Sequence, residues 1–205
     1  MILKYWLILF CMIFSVCTNP ETENSGRVAK TLKQDNILIV YWTRTNNTKA
    51  VAEIIQRKVS GKLVALEKKN PYPENYQKIV AQVDRENEEG YLPPLKTNIK
   101  ELGKYDIVFI GFPTWDMQMP PPMKSFLTEN NLSGKTVIPF NTNAGFGVGE
   151  GFEQLKDLCP ESKVQKGFSV EGGYEKKGVF LAIKGEREEK VTQLVDKWLR
   201  EIGVL

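Results

Sequence analysis

The spacing of apolar positions changes period along the chain, and each change marks an element. Residues 36–42 form a nearly continuous apolar run rich in β-branched and aromatic side chains, as expected of a strand buried on both faces. From Lys49 the period becomes helical: Val51, Ile54, Ile55 and Val59 share one stripe with the stem of Lys58. Residues 62–67 read as a short second strand, and Asn70-Pro71-Tyr72-Pro73 breaks the chain. A polar helix follows from residue 74 to about 89, with Tyr76, Ile79, Val80 and Val83 on one face, ended by Gly90 and Pro93-Pro94. Residues 105–111 predict a third strand. Pro120-Pro121-Pro122 opens a helix bearing Met123, Phe126 and Leu127, since proline suits a first helical turn.

Residues 136–140 predict a fourth strand, followed by a helix with Phe152, Leu155 and Leu158 that ends at Cys159-Pro160. Residues 163–170 read as a fifth strand, and 179–183 form another strand-like run. Either these two runs pair as a hairpin or an insertion divides the final strand. The last helix, 186–202, places Val191, Leu194, Val195, Trp198, Leu199 and Ile202 on one stripe, which makes Trp198 a core residue. Strands alternating with helices imply an α/β fold, a mostly parallel sheet covered on both faces. Ligands of such sheets bind beyond the carboxyl ends of the strands, where the strand order reverses.

The loops after the first, third and fourth strands meet at that edge, and they are the richest in Gly, Asn, Thr and aromatic residues. The first reads Thr43-Arg44-Thr45-Asn46-Asn47-Thr48. A buried strand that delivers hydroxyl and amide side chains onto a helix start gathers free N–H groups and the positive end of the helix dipole, a site for an anion. An ordinary N-cap turn would use the same residue types. The loop lacks the Gly-Lys-Ser/Thr ending of a Walker loop and the glycines of a dinucleotide fingerprint.

Composition narrows the chemistry. The 205-residue chain carries a net charge of +3 with Lys and Arg dispersed among acids, so nothing points to nucleic acid. Histidine is absent, which removes Ser-His and Cys-His catalysis and imidazole metal sites. Of the three cysteines, Cys11 and Cys17 precede the patterned region and Cys159 stands alone, a packing residue before Pro160. Demanding chemistry would need a borrowed cofactor. Residues 1–17 place Lys4 before an apolar run too short for a comfortable membrane span, as in a secretory signal. Ser15-Val16-Cys17 resembles a lipoprotein cleavage site, with Cys17 the lipidation candidate. Residues 18–35 read as a polar tether and 36–205 as the folded domain. The expected location is the bacterial cell envelope, with membrane contact only through the leader or its lipid; without a functional leader the domain would be cytoplasmic.

The three loops in order resemble those of the flavodoxin family, over nearly all of residues 36–205. Thr43 to Thr48 is similar to that family's phosphate loop. Gly111-Phe112-Pro113-Thr114-Trp115 is similar to its second flavin loop, and Asn141-Thr142-Asn143-Ala144-Gly145-Phe146-Gly147 to its third. The resemblance implies a five-stranded sheet of order 2-1-3-4-5 with FMN as cofactor. It implies a phosphate site at Thr43, Arg44, Thr45, Asn46, Asn47 and Thr48, and a ring site at Pro113, Thr114, Trp115, Asp116, Asn141, Thr142, Asn143, Gly145, Phe146 and Gly147. Arg44 either adds a charge-assisted bond to the phosphate or points into solvent. Trp115 is expected at a loop tip, facing the ring. Phe146 either covers the outer ring face or is incidental to glycines that admit backbone. Asn141 and Asn143 are expected at the pyrimidine edge.

The resemblance implies an electron carrier that exchanges electrons with a redox protein or a small-molecule acceptor. An FMN-dependent NAD(P)H:quinone-type oxidoreductase is the alternative, with Tyr72, Tyr76 and residues 172–178 bordering a second-substrate pocket. A binding module without redox activity is the remaining one. Strongly acidic relatives disfavour the anionic reduced flavin. Here the third loop has no acid before Glu150, which predicts a less negative potential. Asp116 stands where many relatives have glycine, which predicts weaker stabilisation of the one-electron-reduced ring.

Overall fold

The computed structural model describes residues 36–205. The expected leader, the tether and Cys17 lie outside the described residues. Strand β1 is Ile37–Tyr41, helix α1 Asn47–Val59, β2 Lys62–Ala65, α2 Tyr76–Glu88, β3 Ile107–Pro113 and α3 Pro121–Glu129. The chain continues through β4 Thr136–Asn143, α4 Gly151–Leu158, β5 Lys163–Val164, β6 Phe168–Glu171 and α5 Glu186–Glu201. The pairings are all parallel and the order is β2-β1-β3-β4-β5, with β6 also on β4. This is the doubly wound α/β sheet expected from the pattern.

Alternation along the strands divides the core between two faces. Ile37, Ile39 and Tyr41 with Phe109, Ile138 and Phe140 pack under Val51, Ile54 and Ile55 of α1 and Val191, Val195 and Leu199 of α5. Leu38, Val40, Val108, Ile110 and Phe112 face Met123, Phe126 and Leu127 of α3 and Leu155 of α4. Trp198 is buried at 4% exposure, its ring on Phe109 and Phe168 and its indole N–H donating to Lys166 O at 3.0 Å. Cys159 is buried in the second core, and burial pushes its thiol up to about 11.

The edge of the sheet settles the layout of residues 163–185. β5 and β6 are one parallel edge strand broken at residues 165–167, which lie opposite Ile138 and Pro139. Three residues against two make a bulge, beside a proline that offers no N–H to a ladder. The run 179–183 is not a strand. After β6 the chain forms a strap, residues 172–185, with one turn of 3-10 helix at Glu175–Lys177 and a single bridge between Tyr174 and Val179. Its apolar residues point mostly outward, with Phe180 56% exposed, while Ile183 is buried. Among the described residues no helix is long and apolar enough to cross a membrane.

Candidate functional site

β1, β3 and β4 lie side by side and all end at one edge of the sheet, so their following loops converge there. They surround a cleft of about 360 Å³, within the range of small-ligand sites. Its walls include Thr43, Arg44, Thr45, Asn47 and Thr48 from the first loop and Pro113, Thr114, Trp115 and Asp116 from the second. Thr142, Asn143 and Phe146 come from the third.

The first loop enters α1 through Asn46, which adopts the left-handed conformation at φ 63° and makes no side-chain cap. The first helical bond runs from Ala50 N–H to Asn46 O at 2.9 Å. Among the described residues no acceptor takes the amides of Asn47, Thr48 or Lys49. The helix therefore presents uncapped donors, as an anion site requires and an ordinary capped turn does not. Thr48 is buried, its hydroxyl 2.8 Å from that of Thr142, which joins the first loop to the third. Thr45 Oγ1 accepts from Asn47 Nδ2 at 2.9 Å.

Two residues of this loop are engaged elsewhere. Asn47 clamps the strap: its Nδ2 donates to Phe180 O at 2.6 Å, and its Oδ1 accepts from the amides of Ala182 and Ile183 at 2.9 and 3.2 Å. Gly172 permits this approach, since a Cβ there would lie 2.9 Å from Asn47 Cβ. Arg44 lines the cleft and does not point into solvent, which corrects that expectation; its guanidinium is already paired. Its Nε and Nη2 each bond Glu175 at 2.7 Å, and Nη1 and Nη2 also donate to the carbonyls of Pro73 and Glu74. Asn46 is exposed and outside the cleft wall.

The second loop carries Trp115 at the base of a two-residue tip. Trp115 and Gln118 exchange both backbone hydrogen bonds, at 3.1 and 3.0 Å, around Asp116 and Met117. Both tip residues have positive φ, 48° and 53°, a conformation that costs a non-glycine residue energy. The tip is held from outside: Glu150 N–H donates to Met117 O at 2.8 Å, and Gln118 accepts from Lys124 Nζ at 2.6 Å. Burial lowers the Lys124 pKa, opposed by the nearby charges of Asp116 and Glu150.

The third loop is shaped by its own asparagines. Asn143 Oδ1 accepts from the amides of Gly145 and Gly147 at 2.9 and 3.1 Å, and both glycines have positive φ, 95° and 84°. Phe146 between them is 64% exposed and meets Tyr174 of the strap edge-on at 5.8 Å. Asn141 is a correction. Fully buried, it donates to Phe112 O and Thr114 Oγ1 and accepts from Ser169 Oγ, so its amide braces neighbouring strands instead of facing the cleft. Gly145 and Gly147 shape the loop behind Phe146 and stand outside the wall.

The structure adds Tyr76, Met117, Gly172, Gly173, Tyr174, Glu175 and Lys176 to the wall. Tyr76 and residues 172–178 are expected at the border of a second pocket; residues 172–176 line the cleft itself, which only the fold of the strap could reveal, and Tyr76 and Glu175 line a neighbouring cavity as well. Burial, and then the charge of Glu175, raise the Tyr76 pKa. Tyr72 is absent from this wall and stands against Trp115. Arg44 and Glu175 neutralise each other, leaving Asp116 and Lys176 as the other charges in the wall. Glu171 also comes within 4 Å of the place a Cβ on Gly145 would occupy, an acid near the third loop that sequence order concealed. Among the described residues no cluster of acids and cysteine could hold a metal ion.

A family model described as Flavodoxin matches residues 36–181. A flavodoxin from Synechocystis sp. is 24% identical over 184 residues, covering 80% of this chain and 94% of that protein. Among solved structures, a candidate flavoprotein from Bacteroides eggerthii is 25% identical with a TM-score of 0.66, over 83% of this chain and 99% of its own. A flavoprotein from Lactobacillus acidophilus, solved in complex with FMN, is 20% identical with a TM-score of 0.56, over 66% of this chain and 92% of its own.

Proposed function

Because the chain belongs to the flavodoxin family, we propose that the cleft binds FMN and that the domain is an electron-transfer flavoprotein. The observation that carries this reading is the meeting of an uncapped helix start and the Trp115 ring, at the base of the second loop's tip, in one cleft of about 360 Å³. The donor set fits the cofactor. The amides of Asn47, Thr48 and Lys49 with the hydroxyls of Thr45 and Thr48 suit one terminal phosphate, and no cation of the loop is free to help. Trp115 offers a flat apolar face to a ring, and Phe146 and Asn143 of the third loop share the same cleft wall. The similar Lactobacillus acidophilus flavoprotein carries FMN in its structure. FMN would supply the one- and two-electron chemistry that the side chains lack.

The protein's own task is to bind, orient and set the field around the ring. The wall charges balance, and Glu171 adds a single further acid. The couple to the fully reduced flavin should therefore be less negative than in strongly acidic relatives. A potentiometric titration that finds a very low second couple would overturn this. The absorbance spectrum of purified protein, with and without added FMN, tests the primary reading. A colourless protein that takes up no FMN would favour a binding module without redox activity.

A second cavity of about 380 Å³ favours one alternative. It is lined by Tyr76, Ile79, Val80 and Val83 of α2 and shares Trp115 and Arg44 with the cleft. An apolar substrate beside the ring would make the protein an FMN-dependent NAD(P)H:quinone-type oxidoreductase, and steady-state NAD(P)H oxidation with a quinone separates the two readings. The electron partner is otherwise a redox protein or a small-molecule acceptor. The proposal extends to residues 1–17 as an export leader, residues 18–35 as a tether and Cys17 as the lipidated residue. It is supported by Lys4, the apolar run and Ser15-Val16-Cys17. Metabolic labelling with radioactive palmitate should mark the wild type and not Cys17→Ser.

A further inference from the structure

Against Trp115, and outside the wall of the cleft, lies a cluster that the cofactor reading does not use. Tyr72 meets Trp115 edge-on at 5.5 Å and 72°, and meets Trp42 at 6.0 Å and 73°; Trp42 in turn meets Trp115 at 6.1 Å and 88°. The three rings thus brace one another pairwise. The Tyr72 hydroxyl donates to the Glu86 carboxylate, which also accepts from Gln82 Nε2 at 2.8 Å. Lys68 Nζ lies 3.4 Å from Glu86 and 3.1 Å from the centre of the Tyr72 ring. The side chains of Lys68 and Glu86 are 4% and 6% exposed.

This arrangement is a poor device for stability. A buried ion pair loses as much by desolvation as it gains by attraction, and an apolar filling of the same volume usually serves at least as well. The Trp42 indole N–H is buried there without a partner, another group that is costly to leave unsatisfied. What the cluster does provide is direction. A tryptophan at the base of a two-residue tip has few neighbours to fix its plane, whereas edge-to-face contacts have a preferred geometry. The phenol anchored at Glu86 cannot turn without breaking a charge-assisted bond.

We infer that Tyr72, anchored by Glu86, is a positioning residue that sets the plane in which Trp115 meets the bound ring. The inference rests on the FMN reading above. Tyr72 acts only through Trp115, because it does not line the ring cleft. Lys68 completes the anchor by neutralising Glu86 and covering the Tyr72 face. Burial lowers the Lys68 pKa, while Glu86 opposes that shift, and burial raises the Tyr72 pKa with the Glu86 bond as the next cause, so the phenol stays protonated and donates at any ordinary pH.

The test compares Tyr72→Phe, Tyr72→Leu, Glu86→Ala and Glu86→Gln with the wild type. Two signatures respond to ring orientation: the visible circular dichroism of bound FMN, and the Trp115 indole N–H resonance in protein without added flavin, assigned through Trp115→Phe. Tyr72→Leu should weaken FMN and riboflavin alike, by roughly tenfold if one edge contact is lost. It should also alter both signatures. Tyr72→Phe should alter the signatures with a smaller loss of affinity. Glu86→Ala should resemble Tyr72→Phe, and Glu86→Gln should restore the wild-type signatures because an amide oxygen still accepts the phenol.

Val195→Ala, which weakens the core on the other face of the sheet from the one Trp42 packs against, should lower the melting temperature and leave both signatures unchanged. Wild-type signatures and affinities in Tyr72→Phe and Tyr72→Leu would overturn the inference. If Tyr72→Leu does not fold, Tyr72→Phe decides, since it keeps ring and volume. A wild type that takes up no FMN would sink the reading of the cleft, while the indole resonance would still decide whether Tyr72 positions Trp115.

Discussion

The two ends of the cleft are built on opposite principles. At the helix start almost every side chain has a fixed partner: Asn47 holds the strap, Arg44 holds Glu175, and Thr48 meets Thr142. The groups left to donate are backbone amides, which cannot move without unwinding α1, and the Thr45 and Thr48 hydroxyls, whose positions their partners fix. At the ring end the framework is aromatic, Phe146 is largely exposed, and Met117 sits in a left-handed conformation that it does not favour, next to Asp116, which tolerates it better. One end is rigid because its polar side chains are held by fixed partners. The other is held by edge contacts and by clamps on a strained tip. The difference suits a ligand with an invariant charged tail and a ring whose surroundings have to be tuned.

The sharpest way to break this contrast is to remove the donors at the rigid end. Thr45→Ala with Thr48→Ala should weaken FMN by ~3 kcal/mol, about a hundredfold, since hydrogen bonds to charged groups are the strong ones. Riboflavin, which lacks the phosphate, should lose far less when measured by calorimetry. Equal losses for both ligands would show that this end does not hold the phosphate.

Asn47→Ala should cost roughly 2 to 3 kcal/mol of stability in urea unfolding, because it orphans a carbonyl and two amides of the strap at once. Amide exchange at Ala182 and Ile183 should rise with it. Slow exchange in the variant would mean that the strap is held by its own contacts.

Cys159 lies at neither end and serves as a reference for the core. Its native pKa of about 11 stands above the ordinary 9.0 through burial. The native thiol is therefore the protonated form over that interval, and its contribution is complete below pH 9 and is lost as pH rises toward 11. The wild type should lose roughly 2 kcal/mol more than Cys159→Ala across that window, a two-unit shift. Parallel pH curves for the two proteins would contradict this.

The smallest effect is expected at the strained tip. Met117→Gly should stabilise the protein by about 1 kcal/mol, because glycine adopts positive φ freely. A loss of stability would show that the Met117 side chain holds the tip in a way its 48% exposure does not suggest.

Much of this was legible from residue order, and the failures share a cause. The strand and helix periods gave the parallel sheet, and chain order put the three loops at one edge. The uncapped start of α1 agrees with the Thr/Asn loop read as an anion site. The side-chain partners of Arg44 and Asn141 are not legible in residue order, because Glu175 and Ser169 lie far along the chain and come together with them only when β6 and the strap fold back. The run 179–183 looked like a strand because its residues are apolar, but local propensity does not reveal that no ladder partner remains beside it. Lys68 and Glu86 gave no signal at all, since charged residues in a polar stretch read as solvated surface.

By itself, then, the sequence determined the period of each element, the layering of the sheet and the placing of three ligand loops at its carboxyl edge. These follow from short-range sterics and from burial of alternating faces, which act within a few residues. Only the tertiary structure decided which polar groups of those loops remain free and that the strap closes one wall of the cleft. The tertiary structure also placed a buried ion pair against Tyr72. Each of these depends on which distant groups meet, because a hydrogen bond or ion pair engages a donor only when its partner comes within about 3 Å.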